Sequence, residues 1–214
     1  AGKAQLTELP QKGIDTGMGL ERLTMISQGA KTIFGTDLFT SLTKKLPDTL
    51  PETQKRVVAD HLRGAAFLLA DGIRPSNKGP GYVLRRLLRR VLAYEHMQEF
   101  SPELFEDVIL KIIEQYRLVY PELLKNNDIT INEYWKEREK FKKTLAEGIH
   151  YLTKLIEKHK NSDVNQLQLD SEQVFNLHQS FGLTEDVIED VLAKKGFAFD
   201  KKQFEEAKQH HQEI

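Results

Sequence analysis

Two pairs of arginine residues give the clearest sign of chemistry in this sequence of 214 residues. Arg85 and Arg86 are followed four positions later by Arg89 and Arg90, within the segment GYVLRRLLRR. On a helix that turns by about 100° per residue, the four guanidinium groups fall on one face and the intervening apolar residues on the other. Guanidinium groups match phosphate oxygens, so this face is a candidate phosphate-binding surface; carboxylates of the same chain are the alternative partners.

The loop before this helix carries a second group of polar residues. IRPSNKGPG is rich in turn-forming residues and brings Asn77, Lys78 and backbone amides to the start of the basic helix. An asparagine amide both donates and accepts hydrogen bonds, so Asn77 could reach the edge of a nucleic-acid base. A simple turn or N-cap residue is the alternative interpretation of Asn77.

Charge is segregated along the chain, although the net charge is only -1. Residues 51–100 hold nine bases and five acids, whereas residues 171–214 hold five bases and nine acids. The balanced total argues against bulk, non-specific binding of polyanions, so any nucleic-acid surface must be local. We expect the acidic C-terminal helices to leave their charged faces in water.

Composition excludes several other classes of site. The sequence has no cysteine, which removes disulfides, thiolate zinc sites and cysteine nucleophiles. His210 and His211 are adjacent and lack a third spaced ligand, so we expect no metal site. No apolar run is long enough for a membrane span, and the first residues do not form a signal peptide. We expect a cytoplasmic protein with no membrane partner.

Helical periodicity dominates the chain. Residues 4–9 and 12–15 could form short strands, and residues 159–170 have the composition of a linker. The predicted N-caps are Thr36 or Asp37, Ser101, Thr184 and Asp200. The predicted helix ends are Gly182 and Gly196. The predicted helices are 19–28, 36–46, 52–72, 79–97, 101–120, 130–160, 171–181, 184–196 and 200–212.

Several segments resemble a known family when they are taken together. DTGMGLERL at 15–23 resembles motif 3 of the class II aminoacyl-tRNA synthetases, in the form found in alanyl-tRNA synthetases. The block VADHLRGAAFLLADGIRPSNKGPGYVLRRLLRR at 58–90 is similar throughout to the tRNA-recognition segment of those enzymes. Further similarities are QG at 28–29, TDLF at 36–39, EREKFKKTLAEGI at 137–149 and VFNLHQSFG at 174–182.

This resemblance implies a mainly α fold, in which a helical tRNA-recognition domain follows the C-terminal remnant, a strand plus a helix, of a class II catalytic domain. The implied boundaries are 1–50 for the end of the catalytic domain, 51–163 for the helical domain that recognises the tRNA acceptor stem, and 164–214 for a small C-terminal helical subdomain.

The resemblance also implies an ATP site in the first segment. In the family, the motif 3 glycines allow the nucleotide to approach closely, and the motif arginine lies against the ATP phosphates. Here these residues are Gly17, Gly19 and Arg22. A salt bridge from Arg22 to Glu21 or Asp15 is the alternative. ATP with Mg²⁺ is expected in the complete enzyme, and no cofactor is expected on the fragment.

In the second segment, the resemblance implies contacts to the tRNA(Ala) acceptor stem. The family reads a G·U wobble pair, the third pair of that stem, with an asparagine and an aspartate. The asparagine falls on Asn77, but this chain has Gln179 at the aspartate position, so we expect weaker or altered recognition of the wobble pair. Other candidate stem contacts are Tyr82, Arg85, Arg86, Arg89 and Arg90, with Lys78 and Arg74 as weaker ones; Arg63 and Asp60 could instead pair inside the helical core.

The function that the resemblance implies is acceptor-stem recognition within an alanine–tRNA ligase. Motifs 1 and 2, the editing domain and the dimerisation domain are not recognisable, so we expect a fragment that binds tRNA, is inactive without the remainder of the catalytic domain, and implies no dimer. A stand-alone RNA-binding module and a helical scaffold for protein partners are the two alternatives.

Overall fold

The prediction of a mainly α fold is confirmed. A computed structural model of the protein describes residues 11, 13–14, 16–160, 168–169 and 171–212. The chain divides into two compact units, residues 1–41 and 42–214.

The first unit contains two short helical elements and the start of a third. They are α1 (Leu20–Ser27), a 3-10 helix (Ile33–Gly35) and the beginning of α2 (Asp37–Thr43). The predicted N-cap at Thr36 or Asp37 is correct in position, but the Thr36 hydroxyl donates to the Ile33 carbonyl at 2.6 Å. The side chain of Gln28 accepts a hydrogen bond from the Asp37 amide at 3.2 Å, which ties α2 to the end of α1.

The predicted N-terminal strands lie almost entirely outside the described residues. Residues 4–9 are not described, and within 12–15 only Gly13 and Ile14 are described, both in irregular backbone. Ile14 is 93% exposed, and α1 has no buried residue.

Helices dominate the described part of the second unit. Its first group comprises α3 (Glu52–Ala70), α4 (Gly79–Met97), α5 (Glu103–Tyr116), α6 (Pro121–Lys125) and α7 (Asn127–Lys160). Each of the longer helices in this group buries apolar residues at helical spacing, including Leu62 of α3, Leu88 of α4, Ile109 of α5 and Phe141 of α7. Helix α4, which carries the two arginine pairs, packs against α7.

A buried polar network also joins α4 to α7. Glu95 accepts hydrogen bonds from Arg138 at 2.9 and 2.7 Å and from the Tyr134 hydroxyl at 3.3 Å. Glu95 and Arg138 are only 7% and 9% exposed. Burial is the main cause that raises the pKa of Tyr134. Since each buried group has a charged or polar partner, the network avoids the cost of an isolated buried charge.

The helix predicted for 101–120 is shorter than expected at both ends. Ser101 does not cap it: α5 begins at Glu103, and the Ser101 hydroxyl donates to the Glu103 carboxylate. At the other end, Tyr120 adopts a non-helical conformation because the residue before a proline disfavours the α region. Pro121 then starts α6, in the first-turn position that proline tolerates.

The C-terminal part combines three helices with a two-stranded parallel sheet. The helices are α8 (Ser171–Phe181), α9 (Glu185–Lys194) and α10 (Lys201–Gln212), and the strands are β1 (Gln168–Leu169) and β2 (Ala198–Phe199). The linker predicted for 159–170 was therefore wrong where it overlaps α7 and β1, because pairing with β2 gives β1 a structure that its polar composition does not reveal. Within that range, residues 161–167 and 170 lie outside the described part.

The predicted ends of the C-terminal helices are confirmed. Thr184 is the N-cap of α9, and the Asp200 carboxylate accepts hydrogen bonds from the Lys202 and Gln203 amides at 2.8 and 3.3 Å. Gly182 and Gly196 follow α8 and α9 with left-handed φ of 64° and 75°.

Candidate nucleic-acid interface

The loop from Ile73 to Lys78 holds Asn77 at the start of α4. Arg74 donates to the carbonyls of Leu69 and Ile73 at 3.1 and 2.9 Å, so its guanidinium group closes the end of α3. The Ser76 amide donates to the Gly81 carbonyl at 3.0 Å, and its hydroxyl donates to the Lys78 carbonyl at 2.9 Å.

Glycine is required at position 81 by the same loop. A Cβ at Gly81 would overlap the Arg74 carbonyl and the Ser76 hydroxyl. The close approach fixes the loop against the first turn of α4, while Asn77 and Lys78 stay exposed.

The four arginines of α4 do not share one exposed surface. Arg86 is exposed, Arg85 and Arg90 are partly buried, and Arg89 is only 8% exposed. The expectation of four outward guanidinium groups was therefore wrong for Arg89. A helical projection gives the direction of a side chain but not the neighbouring helix, and here α7 covers part of the basic face.

Arg89 is held inside the fold by α7 and by the end of α8. Its Nε donates to Glu137 Oε1 at 2.8 Å, its guanidinium carbon lies 4.7 Å from the centre of the Phe141 ring, and its Nη1 donates to the Gly182 carbonyl at 3.4 Å. Burial lowers the pKa of Arg89, and the bond to Glu137 opposes this shift.

Arg85 connects the same carboxylate to the loop. Its Nε lies 3.6 Å from Glu137 Oε1, and its Nη1 donates to the side-chain carbonyl of Asn77. Arg85 therefore orients the amide of Asn77. Because a carbonyl oxygen has two lone pairs, Asn77 Oδ1 retains capacity for a second hydrogen bond.

The remaining two arginines point to different surroundings. The guanidinium carbon of Arg86 lies 5.9 Å from the centre of the Tyr82 ring, at the outer limit of a cation–π contact. Arg90 donates to the Tyr94 hydroxyl at 3.3 Å, and that hydroxyl donates to Asp190 on α9 at 2.8 Å. Arg90 therefore takes part in the attachment of α9 to α4.

The structure brings Gln179 to the basic helix. Gln179 is exposed near the end of α8, and the turn after α8 lies against Arg89. A Cβ at Gly182 would overlap Arg89 Nη1, so glycine is required there both for its positive φ of 64° and for this contact. On α7, Gly148 lies close to Phe181, where a Cβ would come within 2.8 Å.

These elements enclose one groove with a volume of about 270 Å³. It is lined from the α4 side by Asn77, Tyr82, Arg85, Arg86 and Arg89 and from the α8 side by Phe175, His178, Gln179, Gly182 and Thr184. Asn77 and Gln179 are far apart in sequence and line the same groove. Lys78, Arg74 and Arg90 are not among its lining residues.

Sequence reasoning missed four of the lining residues as site residues, namely Phe175, His178, Gly182 and Thr184. Nδ1 of His178 lies 2.8 Å from the Leu183 carbonyl, and the hydroxyl of Thr184 is buried without a hydrogen-bond partner. VFNLHQSFG already contained three of them, but its resemblance directed attention to Gln179 alone, and Gly182 was predicted only as a helix end. Thr184 was recognised only as a helix cap.

Arg63 and Asp60 pair within the helical unit, as one interpretation of the sequence predicted. Arg63 Nη2 lies 4.0 Å from Asp60 Oδ1, and Arg63 Nη1 donates to the Tyr116 hydroxyl at 3.3 Å. The neighbouring His61 ring, whose Nδ1 lies 3.6 Å from Asp60 Oδ2, is the main cause that lowers the pKa of Asp60.

The candidate ATP-binding residues lie in the first unit. Gly19 precedes α1, Arg22 lies exposed in its first turn, and the space around Gly17 is open. The exposed guanidinium group has the chemistry to contact phosphate. The described residues contain no group of three or more histidine, aspartate or glutamate side chains arranged to hold a metal ion.

His210 and His211 have side chains outside the described set. In the part of the chain that the structure describes, no helix combines the length and apolarity that a membrane span requires.

Comparison with known proteins gives a consistent result. The family model described as tRNA synthetases class II (A) matches residues 1–214. The alanine–tRNA ligase of Desulfitobacterium hafniense strain Y51 is 34% identical over 98% of this chain and 25% of its own length. Those of Mesorhizobium japonicum and Rickettsia akari are 35% and 38% identical over 92% and 93% of this chain, and 23% of their own lengths.

The matches cover nearly all of this chain but only part of each relative. The chain spans about a quarter of the length of the curated relatives it matches. The family model covers all of it, so the chain belongs to the class II (A) family of tRNA synthetases.

Proposed function

We propose that this chain is the acceptor-stem recognition part of an alanine–tRNA ligase, and that its groove between α4 and α8 receives the end of tRNA(Ala). The observation that carries the proposal is the meeting of Asn77 and Gln179 in one groove flanked by arginines. The two residues are far apart in the sequence, and the fold brings them together.

The chemistry of the groove suits the minor groove of an RNA helix. A-form RNA has a wide and shallow minor groove, where base edges and 2′-hydroxyls are accessible. A G·U pair leaves the guanine amino group there as a hydrogen-bond donor, and the side-chain carbonyls of Asn77 and Gln179 are acceptors. Arg86 and Lys78, both exposed, are suited to contact the phosphates on either side.

The roles of the other arginines follow from their partners. Arg85 is placed to orient Asn77 and to face the groove, whereas the buried Arg89 supports the groove wall. Arg90 and Arg74 make hydrogen bonds inside the fold, which favours a supporting role for both.

The first unit fits the end of a catalytic domain. In the complete enzyme, we propose that Arg22 lies against the ATP phosphates, with Gly17 and Gly19 beside it. When bound, ATP would supply the adenylyl group that activates the carboxylate of alanine, with pyrophosphate as the leaving group. The apolar surface of α1, where Ile26 is 73% exposed, supports the remainder of the catalytic domain as a partner. We expect the 214-residue chain to bind RNA and not to aminoacylate it.

A fluorescence anisotropy titration tests the proposal. Hairpins of the acceptor stem that carry G·U or G·C at the third pair are titrated with the chain at two salt concentrations. We expect tighter binding of the G·U hairpin and, for the phosphate contacts of Arg86 and Lys78, a slope of roughly −2 in log K against log salt. Binding that is absent at low salt, or that does not respond to salt, would contradict the proposal.

A further inference from the structure

Glu137 of α7 is a buried carboxylate at the back of the groove. It is 5% exposed, and its Oε1 lies 2.8 Å from Arg89 Nε and 3.6 Å from Arg85 Nε. One oxygen atom therefore faces two guanidinium groups, and Glu137 itself is not among the residues that line the groove.

Each of the two arginines also donates a hydrogen bond to a different wall of the groove. Arg85 donates to the side chain of Asn77, in the loop before α4. Arg89 donates to the Gly182 carbonyl, in the turn that follows α8 and Gln179. Glu137 is thus the common partner of the two side chains that reach the opposite walls of the groove.

The charge of Glu137 is needed for this arrangement. Arg85 and Arg89 are one helical turn apart, and the charge of Arg85 is one of the causes that lower the pKa of Arg89. A carboxylate between them converts this repulsion into two attractions and compensates the burial of Arg89. A neutral amide at position 137 would keep one hydrogen bond but would leave the two cations to repel each other.

We propose that Glu137 is a positioning residue that sets the spacing of Asn77 and Gln179 for recognition of the third base pair. This inference rests on the proposed function, since the spacing matters only if the groove receives RNA. Glu137 acts through Arg85 and Arg89 and does not itself touch the RNA.

The test compares Glu137→Gln with the matched control Glu95→Gln in the 214-residue chain. Glu95 is also a buried carboxylate, 7% exposed, and also pairs an arginine between α4 and α7, but it does not line the groove or contact a residue that does so in the described structure. Both substitutions remove the buried carboxylate that pairs with a buried guanidinium group, and Arg138 keeps only the exposed Glu139 as a charged partner, so both should lower the midpoint of urea unfolding.

The two variants should differ in RNA recognition. We expect Glu137→Gln to reduce the preference for the G·U hairpin over the G·C hairpin at least threefold, measured by anisotropy as the ratio of the two dissociation constants. Glu95→Gln should keep the preference of the unmodified chain. Glu137→Asp retains the charge on a shorter side chain and should recover part of the preference; it also provides the comparison if Glu137→Gln does not fold.

An unchanged preference in Glu137→Gln, or an equal loss in Glu95→Gln, would overturn the inference and leave the proposed function intact. If Glu137→Gln does not fold, a preference in Glu137→Asp equal to that of the unmodified chain would overturn it. If the unmodified chain does not bind either hairpin at low salt, the proposed function fails and the inference fails with it.

Discussion

Gln179 is the residue at which this chain departs from the pattern that the family resemblance predicts. An aspartate is expected at this position, and glutamine offers a neutral carbonyl oxygen instead of a charged one. Hydrogen bonds to charged groups are roughly twice as strong as those between neutral groups. The groove of this chain should therefore hold the guanine amino group of a G·U pair less tightly than a groove with aspartate.

We predict that Gln179→Asp increases the preference for G·U over G·C by roughly threefold to tenfold, since a charged acceptor adds about 1 kcal/mol to such a bond. The measurement is the ratio of the two dissociation constants by anisotropy. Asn176→Asp is the matched control because it introduces the same charge at another exposed position of α8. An equal change in both variants, or no change in Gln179→Asp, would count against a base contact at residue 179.

Arg89 shows where residue patterns stop being informative. The spacing of the four arginines predicted one basic face of α4, and Arg85, Arg86 and Arg89 line the groove whereas Arg90 does not. The burial of Arg89 depends on Glu137, which lies 48 residues later on another helix. No local pattern contains that partner, so the pattern could not separate the supporting arginine from those at the surface.

At the scale of elements, helix bounds were predicted well where periodicity and end signals agree. Helix α4 matches its predicted span of Gly79–Met97. The helix predicted for 101–120 already ends at Tyr116, before Pro121 starts α6, and the short β1 was missed because a two-residue strand has no periodicity. The meeting of α4 with the end of α8 was expected from the family resemblance alone, because nothing in the spacing of these helices indicates it.

The turn after α8 should be the most sensitive element of the groove. In Gly182→Ala, the added Cβ meets both a left-handed backbone and the guanidinium group of Arg89. We expect a loss of roughly 2–4 kcal/mol in the free energy of unfolding, measured with urea, together with weaker binding of the G·U hairpin.

Gly196→Ala is the control for this prediction. Gly196 has a similar φ of 75°, but nothing lies within 4 Å of its Cβ position. It should lose only about 1–2 kcal/mol and keep its affinity for RNA. Equal losses in the two variants would show that the contact between Gly182 and Arg89 does not support the groove.

The attachment of α9 to α4 should weaken as the pH rises through the alkaline range. Burial is the main cause that raises the pKa of Tyr94 from 10.0 to about 12. The unfolded chain therefore loses this proton first, and the free energy of unfolding should fall as pH rises from about 10 to about 12. Tyr94→Phe should lose about 1 kcal/mol at neutral pH, with the hydrogen bond to Asp190, and should fall less steeply over the alkaline range.

Urea unfolding at a series of pH values measures this dependence. Burial also raises the pKa of Tyr134. Because Tyr134 remains in the Tyr94→Phe variant, the free energy of unfolding of that variant should still fall somewhat with rising pH. Identical slopes for the two proteins between pH 10 and pH 12 would contradict a protonated, buried Tyr94 as the link between α4 and α9.

At the scale of the whole molecule, function depends on the arrangement of charge and not on its total. The net charge is -1, yet three arginines of α4, Arg85, Arg86 and Arg89, line one groove. The acidic surface of the C-terminal helices lowers non-specific attraction to polyanions, so that binding should require a ligand shaped for the groove. Under the proposed function, a folded RNA end is such a ligand, whereas an extended polyanion is not.

The central claim is that the groove between α4 and α8 faces the third base pair of the acceptor stem. The chain has no cysteine, so single-cysteine variants can carry a nitroxide spin label at a chosen place. Ser180→Cys puts the label beside Gln179, and Leu118→Cys puts it on a segment between α5 and α6 that is 90% exposed and does not line the groove.

The measurement is paramagnetic broadening of the imino proton resonances of a bound G·U hairpin. The account predicts that the label at residue 180 broadens the protons of the third pair most strongly and that the label at residue 118 leaves them sharp. Equal broadening by the two labels, or sharp third-pair resonances in a hairpin bound to the Ser180→Cys variant, would contradict it.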